Sequence, residues 1–308
     1  MRMRRIVVGS RGSKLALVQT ESVVNRLRKV APGVEISTRK ITTGGDRNTH
    51  VSLEQVEGTG FFVKELEEAL LDGSVDLAVH SLKDVPSELP ERLTLSAIPE
   101  RADPRDVLVS KGTKLADLRH GAKIGTGSLR RTLQLTAMRP DVHPTSIRGN
   151  VDTRVGKVDS GEYDALVTAA AALVRLGLED RIVEHFDTNS FLPAVGQGAL
   201  AVESRKDDKE TNEIVAAIND VLAWQSVMAE RSFLFALGGG CQAPIAGLAS
   251  VSGRTLSIDG LVASVRQHRI IRGQESGPAT EAVQIGRNLA KKLLDQGGGQ
   301  FIEEAKLR

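Results

Sequence analysis

The sequence has little cysteine, few aromatic residues and no long apolar run. Of its 308 residues, one is a cysteine and only 3% are aromatic. A single cysteine excludes an intramolecular disulfide and fits a reducing cytosol. So few aromatic residues argue against the stacking platforms of single-strand binders. No stretch reaches the roughly eighteen apolar residues of a membrane span. We therefore expect a cytoplasmic protein that binds neither nucleic acid nor membrane.

Charge and histidine content exclude two further classes. The net charge is only +2, which gives no support to nucleic-acid binding. The six histidines show no ligand-like clustering with acidic residues, so no metal site is expected. The basic start, residues 1–5, leads into a strand-like run rather than a long apolar segment, so no signal peptide is expected.

The one cysteine, Cys241, lies in an unusual context. Three glycines precede it and Pro244 follows closely, so we expect a turn rather than a helix or strand. A turn can present the sulfur to a ligand. A lone cysteine is about as often a small buried hydrophobic residue, and the spacing alone leaves both interpretations open.

The hydrophobic patterns predict an α/β protein with an α+β end. Two successive runs of alternating strands and helices indicate two doubly wound domains of about one hundred residues each, followed by a smaller α+β domain. The predicted strands are 6–9, 34–41, 75–79, 107–109, 122–125, 143–147, 165–167, 200–202, 245–250, 255–263 and 269–273. The predicted helices are 13–30, 61–71, 128–138, 151–160, 169–176, 211–222, 224–237 and 280–294. The predicted connections include a long lid-like loop at 42–60, a loop at 81–90 and a charged stretch at 203–210.

Basic side chains follow glycine turns at several predicted strand ends. Residues 125–131 leave a strand and open a helix, a junction that favours an anion. Arg130 and Arg131 oppose the helix dipole there, which suggests an external anion. Arg148 and Arg154 repeat the arrangement after the next strand. Any one of these arginines could simply be solvated, but the set predicts a ligand with several carboxylates or phosphates.

A second candidate site is the segment 79–86, at the end of a predicted buried strand. Asp84 is the candidate acid–base group, and Lys83 would keep it ionised or bind substrate. The plainer interpretation is a turn with a solvated charge pair. His80 could equally be a core histidine.

Eight segments of the sequence resemble, in order, those of the porphobilinogen deaminase (hydroxymethylbilane synthase) family. They cover essentially the whole chain and are 10–17, 62–66, 80–86, 103–106, 128–131, 148–150, 192–198 and 239–241. The resemblance implies two domains like type-2 periplasmic binding proteins, plus a smaller C-terminal α+β domain that carries the cysteine. The implied domains are 1–98 with 199–218, 104–192 and 221–308.

The resemblance also implies a reaction. Members of the family deaminate four porphobilinogen molecules and condense them head-to-tail onto a dipyrromethane primer, releasing hydroxymethylbilane and ammonia in tetrapyrrole biosynthesis. Cys241 would hold the primer through a thioether. Asp84 would stabilise the azafulvenium cation left by ammonia and shuttle protons.

The implied binding residues fall into two groups. The cofactor-binding residues would be Cys241, Ser81, Lys83, Thr126, Ser128, Arg130, Arg131, Arg154 and Gln197. The substrate-binding residues would be Arg11, Ser13, Phe62, Arg148 and Arg175, with Phe62 stacking on a pyrrole. The resemblance implies no metal, a monomer, and uroporphyrinogen-III synthase as a possible downstream partner.

The predicted lid departs from the family pattern. Gly45, Gln55 and Thr59 stand where basic residues are usual, Glu57 adds an opposing charge, and Arg47 compensates in part. Two other functions are compatible with parts of the sequence. One is a solute-binding or ligand-sensing module of the same fold without catalysis. The other is a sulfur-transfer enzyme or cysteine hydrolase, for which no histidine stands in a context suited to activate Cys241.

Overall fold

The computed structural model describes residues 4–44, 63–240, 243–267 and 269–306. The chain divides into two compact units, residues 1–102 with 199–224 and residues 103–198 with 225–308. The finer division into three domains stays a prediction. Phe62, Cys241 and most of the predicted lid, its residues 45–60, lie outside the described residues.

The described residues form strands and helices in the following order. The strands are β1 (Arg4–Arg11), β2 (Val34–Ile41), β3 (Leu77–Ser81), β4 (Leu93–Ala97), β5 (Asp106–Ser110), β6 (Lys123–Gly125), β7 (His143–Thr145), β8 (Ala165–Ala169), β9 (Ile182–His185), β10 (Leu200–Arg205), β11 (Ile245–Ser252), β12 (Thr255–Ala263) and β13 (Ile270–Pro278). The helices are α1 (Lys14–Val30), α2 (Lys64–Leu71), α3 (Leu129–Met138), α4 (Val151–Asp159), α5 (Ala170–Arg175), α6 (Lys209–Ala216), α7 (Val221–Ala236), α8 (Ala282–Asp295) and α9 (Gly298–Lys306). Short 3₁₀ helices cover 82–84, 115–117, 179–181 and 279–281.

The first unit is built on a mixed sheet. Within the described residues its strand order is β2-β1-β3-β10-β4. β1 runs parallel to β2 and β3, whereas β10 runs antiparallel to β3 and β4. The apolar stripe of α1, with Val23, Val24 and Leu27, packs on Ile6 and Val8 of β1. The carboxyl ends of β1 and β3 therefore share one edge of the sheet, where open α/β sheets bind ligands.

The second unit contains a sheet with the same plan. Its order, among the strands described, is β7-β6-β8-β5-β9. β6 is parallel to β7 and β8, and β5 is antiparallel to β8 and β9. β5 thus has the place that β10 has in the first unit. These two sheets confirm the predicted pair of doubly wound α/β folds.

The second unit also contains a smaller α+β layer. An antiparallel sheet of order β11-β12-β13 packs against α7, α8 and α9 through residues such as Phe233, Leu289 and Phe301. Leu133 of α3 packs with Ala246 and Leu261 of this sheet. The predicted C-terminal α+β fold is confirmed. Across the described residues, no helix has the length and apolarity needed to cross a bilayer.

Several predicted elements are wrong or incomplete. The charged stretch 203–210 is not all connection, because β10 continues to Arg205 with Glu203 fully buried. The predicted helix 211–222 ends at Ala216, and a new helix begins after Asp220, whose carboxylate accepts a hydrogen bond from the Ala223 amide at 2.8 Å. The predicted loop 81–90 contains the 3₁₀ helix at 82–84. The strands β4 and β9 and the helix α9 were not predicted.

Candidate active site

The carboxyl end of β3 supplies the first set of candidate residues. After Ser81 the chain turns through the 3₁₀ helix, and the Leu82 amide donates to the Ala199 carbonyl at 3.1 Å. The Leu82 side chain is buried and anchors this turn. Lys83 and Asp84 are half-buried and follow it directly. The local fold thus fixes both side chains at the sheet edge where the sequence predicted them.

Asp84 carries an available carboxylate. Within the part of the chain that the structure describes, this carboxylate has no partner in a hydrogen bond or an ion pair. A half-buried carboxylate lies in a medium less polar than water, so its attraction for a nearby cation is stronger than in bulk solvent. The group is therefore suited to stabilise positive charge on a ligand.

Helix α1 contributes a residue that sequence reasoning missed. Gln19 is 4% exposed, and its Nε2 donates to the Ser81 Oγ at 2.8 Å. The sequence feature that could have indicated Gln19 is its amide side chain on the buried face of the amphipathic helix α1, where an apolar residue is usual. This bond fixes the hydroxyl of Ser81. Gln19 is a buried polar group with a partner at the candidate site.

Arg11 and Ser13 lie at the same edge, after β1. Arg11 ends the strand and is half-buried. Ser13 is the N-cap of α1, and its Oγ accepts a hydrogen bond from the Ala16 amide at 3.3 Å. Because β1 is parallel to β3, both residues share the sheet edge of Ser81 and Asp84.

In the second unit, hydroxyl groups shape the turn between β6 and α3. The Thr126 amide donates to the Thr145 carbonyl at 2.9 Å, which continues the pairing of β6 with β7. Thr126 Oγ1 accepts from the Ser128 amide at 3.2 Å, and Ser128 Oγ accepts from the Arg131 amide at 3.4 Å. Ser128 is thus the N-cap of α3. The predicted strand–turn–helix junction is confirmed.

Asp106, on β5, lies at the centre of a buried polar network. Its Oδ2 accepts from Arg130 Nη1 at 2.7 Å, and its Oδ1 accepts from Arg131 Nη2 at 2.7 Å and from Gln197 Nε2 at 3.0 Å. Burial alone would raise the pKa of Asp106, but the charges and hydrogen bonds of Arg130 and Arg131 outweigh it and hold that pKa well below its usual range. Asp106 is therefore a permanent anion.

This network corrects the reason given for the two arginines in the first turn of α3. The sequence suggested that an external anion compensates them, whereas the internal carboxylate of Asp106 does so. Arg130 is 4% exposed and also donates to the Leu192 carbonyl at 2.6 Å, so its guanidinium points into the protein interior. Its contact with a cofactor stays a prediction. Asp106 was missed because it opens an otherwise apolar buried strand.

Arg131, Arg148 and Arg154 form a group of like charges. Burial, and then the positive charges of Arg131 and Arg148, lower the pKa of Arg154 to about 10. Arg154 Nε donates to the Gly149 carbonyl at 2.7 Å. Gly149 has a φ of +105°, and a Cβ there would come within 2.8 Å of Thr153, so the turn requires glycine. Close guanidinium groups favour a ligand with several negative charges.

The remaining predicted site residues of the second unit, Arg175 and Gln197, are held by hydrogen bonds close to Gly198 or to Asp106. Arg175 ends α5, and its Nη2 donates to the Gly198 carbonyl at 2.8 Å. Gln197 is buried and bonds to the Pro104 carbonyl at 2.8 Å as well as to Asp106. The structure thus brings together one set of candidate residues in each unit. The first set is Arg11, Ser13, Ser81, Lys83 and Asp84, and the second is Thr126, Ser128, Arg131, Arg148, Arg154 and Gln197.

Two family descriptions match nearly the whole chain. Residues 6–213 match "Porphobilinogen deaminase, dipyromethane cofactor binding domain", and residues 224–295 match "Porphobilinogen deaminase, C-terminal domain". The chain is 46% identical over 308 residues to porphobilinogen deaminase of Geotalea uraniireducens, covering 100% of this chain and 97% of that protein. It is 48% identical over 298 residues to porphobilinogen deaminase of Roseiflexus sp., covering 96% and 98%.

Among solved structures, the chain is similar to the periplasmic VFT2 domain of Bordetella pertussis BvgS. The identity is 17% and the TM-score is 0.41, over 70% of this chain and 86% of that one. The two family matches and the full-length relatives agree with each other and with the order of the motifs along the sequence. The chain belongs to the porphobilinogen deaminase family of transferases, which carry a dipyrromethane cofactor.

Proposed function

We propose that this chain condenses four porphobilinogen molecules onto a dipyrromethane primer, with Asp84 as the catalytic carboxylate. One observation carries the proposal: the Asp84 carboxylate is held at the end of β3 and has no partner among the described residues. An enzyme that forms a cationic intermediate needs such a group. A solute-binding module needs no available carboxylate there.

The arginines of the second unit fit the cofactor. Each pyrrole of a dipyrromethane carries an acetate and a propionate, and an arginine binds a carboxylate through two parallel hydrogen bonds. Arg131, Arg148 and Arg154 repel one another, which the lowered pKa of Arg154 reflects, so bound carboxylates would relieve that repulsion. When bound, the cofactor supplies the free pyrrole carbon from which the product chain grows.

Asp84 would act on the substrate's aminomethyl group. Loss of ammonia leaves a positive charge on the substrate, and a fixed carboxylate beside it would lower the barrier by a few kcal/mol, about 2.7–4 by comparison with other preorganised groups. The same carboxylate can pass a proton between the departing amine and the ring carbon that is attacked. Both roles need an ionised Asp84.

The other residues of the first unit would bind and orient the substrate. Arg11 and Lys83 offer positive charge to its acetate and propionate groups, and Ser13 and Ser81 offer hydroxyl groups. Gln19 would hold the Ser81 hydroxyl in place through the bond described above. In the second unit, Thr126 and Ser128 would donate to carboxylates held by the arginines.

Cys241 would carry the primer through a thioether, which an intact-mass measurement tests. Protein from cells that make porphobilinogen should exceed the sequence mass by two condensed pyrrole units. Cys241→Ala should have the sequence mass and should not form product. Parent protein at the sequence mass would contradict the proposal and favour a binding module. Ser226→Ala, a matched change of one buried side-chain atom elsewhere, should keep the added mass.

We also propose that the enzyme works as a cytoplasmic monomer and supplies its product to a uroporphyrinogen-III synthase. The single cysteine and the absence of a disulfide support a reducing compartment. Light scattering during size-exclusion chromatography should give one chain per particle. A dimer that persists on dilution would contradict the monomer.

A further inference from the structure

The first unit holds three neighbouring titratable side chains that the proposed mechanism does not use, two buried in its core and one half-buried beside them. His80 on β3 and Glu203 on β10 form a buried pair, with 3.0 Å between Nε2 and Oε2 and side chains that are 2% and 0% exposed. Glu67 lies on α2, which packs on β3 and β10. Glu67 interacts electrostatically with both His80 and Glu203. We call Glu67, His80 and Glu203 the buried cluster.

The cluster has fewer hydrogen-bond donors than its carboxylate oxygens need. Glu67 Oε1 and Glu203 Oε1 are both buried and have no hydrogen-bond partner among the described residues. With both carboxylates ionised, one imidazole cannot neutralise them, and an uncompensated buried charge is costly. One proton on the carboxylates removes a charge and supplies the missing donor. The unpartnered oxygens therefore indicate a cluster that holds a proton.

The position of that proton follows from the charges that face Glu67. Burial, then the negative charge of Glu203, raises the pKa of Glu67 to about 7. His80 opposes this rise and Glu68, its neighbour on α2, adds to it. Glu67 is therefore the carboxylate that releases its proton near neutral pH.

The cluster is joined directly to the candidate active site. His80 immediately precedes Ser81, and in the ladder between β3 and β10 His80 pairs with Ala201 and Ser81 with Leu200. The Leu82 amide continues this connection by donating to the Ala199 carbonyl. The bond between His80 and Glu203 thus ties the end of β3 to β10 just before the segment that carries Asp84.

We propose that Glu203 and Glu67 are positioning residues for the reaction, which fix His80 and through it the segment 81–84 while Glu67 carries a proton. This inference rests on the proposed role of Asp84. Loss of the proton places two like charges beside His80, which would pull the pair apart and displace the end of β3. A misplacement of about 1 Å at a reacting group can cost on the order of a hundredfold in rate.

The test is the pH dependence of kcat and KM for the cofactor-loaded enzyme. In the parent, kcat should fall as the pH rises through about 7, the pKa of Glu67. Glu67→Gln keeps a hydrogen-bond donor at every pH, so this decline should disappear. Glu203→Gln should lower kcat about tenfold or more at every pH with little change in KM. Glu68→Gln, an exposed change on the same helix, removes only the smallest of the effects on the pKa of Glu67, so the decline should remain with its midpoint moved slightly to lower pH.

Three results would overturn the inference. They are a Glu67→Gln profile that superimposes on that of the parent, disappearance of the decline in Glu68→Gln, or a Glu203→Gln enzyme with the parent's kcat. If Glu203→Gln does not fold, the Glu67→Gln profile decides alone. Failure of the proposed function has a different signature, because the parent would then not consume porphobilinogen, or Asp84→Asn would be as active as the parent.

Discussion

The two five-stranded sheets share an order and strand directions, yet each treats its buried carboxylate differently. Asp106 on β5 and Glu203 on β10 occupy corresponding antiparallel strands. Asp106 accepts hydrogen bonds from two arginines and a glutamine. Glu203 pairs with His80 and has one oxygen without a partner among the described residues. One fold plan thus supports a carboxylate with both oxygens paired in one unit and a carboxylate with one oxygen paired in the other.

The edges of the two sheets differ in the same way. The first unit presents the available carboxylate of Asp84, whereas the second gathers Arg131, Arg148 and Arg154. Serine N-caps begin the helix after the corresponding strands in both units, at Ser13 and Ser128. The backbone plan is therefore common, and under the proposed function the side chains would place the chemistry at one sheet and carboxylate binding at the other.

Removal of the permanent anion should have the largest effect on stability. Asp106→Asn leaves two buried guanidinium groups without their counterion, so we expect a loss of about 3–5 kcal/mol in unfolding free energy. Urea unfolding measures it. Glu203→Gln is the matched change in the first unit and should cost less, because Glu203 pairs with one histidine rather than with two arginines. Equal losses in the two variants would remove the contrast between the units.

Substitution of two arginines of the second unit should show that effects on protein stability and effects on ligand binding can be distinguished. Arg131→Leu breaks a buried ion pair and should both destabilise the protein and impair cofactor retention. Arg148→Leu changes a half-buried side chain and should weaken substrate binding or stop chain growth, with a stability change of about 0.5 kcal/mol or less. Thermal unfolding and mass spectrometry of enzyme-bound intermediates report the two effects. An unchanged series of intermediates and rate in Arg148→Leu would contradict a polyanion site.

A smaller effect is expected in the pH dependence of stability, where Glu67 of the first unit and Asp106 of the second should act in opposite directions. The folded pKa of Glu67 lies above its usual 4.5, so its contribution is fully present below about pH 4.5 and is lost as the pH rises through about 7. The folded pKa of Asp106 lies below its usual 3.8, so its contribution is lost only as the pH falls below that value. Glu67→Gln should therefore flatten the parent's loss of stability between about pH 4.5 and 7. A constant difference between the two unfolding midpoints across this range would contradict the assignment.

Local patterns predicted most of the fold. The alternation in 34–41 gave β2 with its observed bounds, and the apolar spacing after Ser13 gave α1. The predictions failed where a long-range partner decides the structure. The predicted strand 200–202 stops before Glu203, whose buried carboxylate pairs with His80, a residue far away in the sequence but on the neighbouring strand β3. α9 begins at Gly298 and Gly299, a pair that predicts a turn.

The sequence predicted which residues form the candidate site better than it predicted their hydrogen-bond and ion-pair partners. Glycine turns at strand ends located Thr126, Ser128 and Arg131, and a buried strand located Asp84. The sequence could not show that Arg130 turns inward to Asp106, because that contact joins residues 24 positions apart on separate elements. Gln19 and Glu67 were missed for the same reason, since each matters through a residue that folding brings near it.

The most direct test of the division between the units is Asp84→Asn, followed by intact mass and turnover. The variant should fold, retain the cofactor mass that depends on Cys241 and the second unit's arginines, and lose most turnover, because an amide cannot stabilise a cation as a carboxylate does. Rates on the order of a hundredfold or more below the parent, with the cofactor in place, are the predicted result. Near-normal turnover in Asp84→Asn would contradict the account.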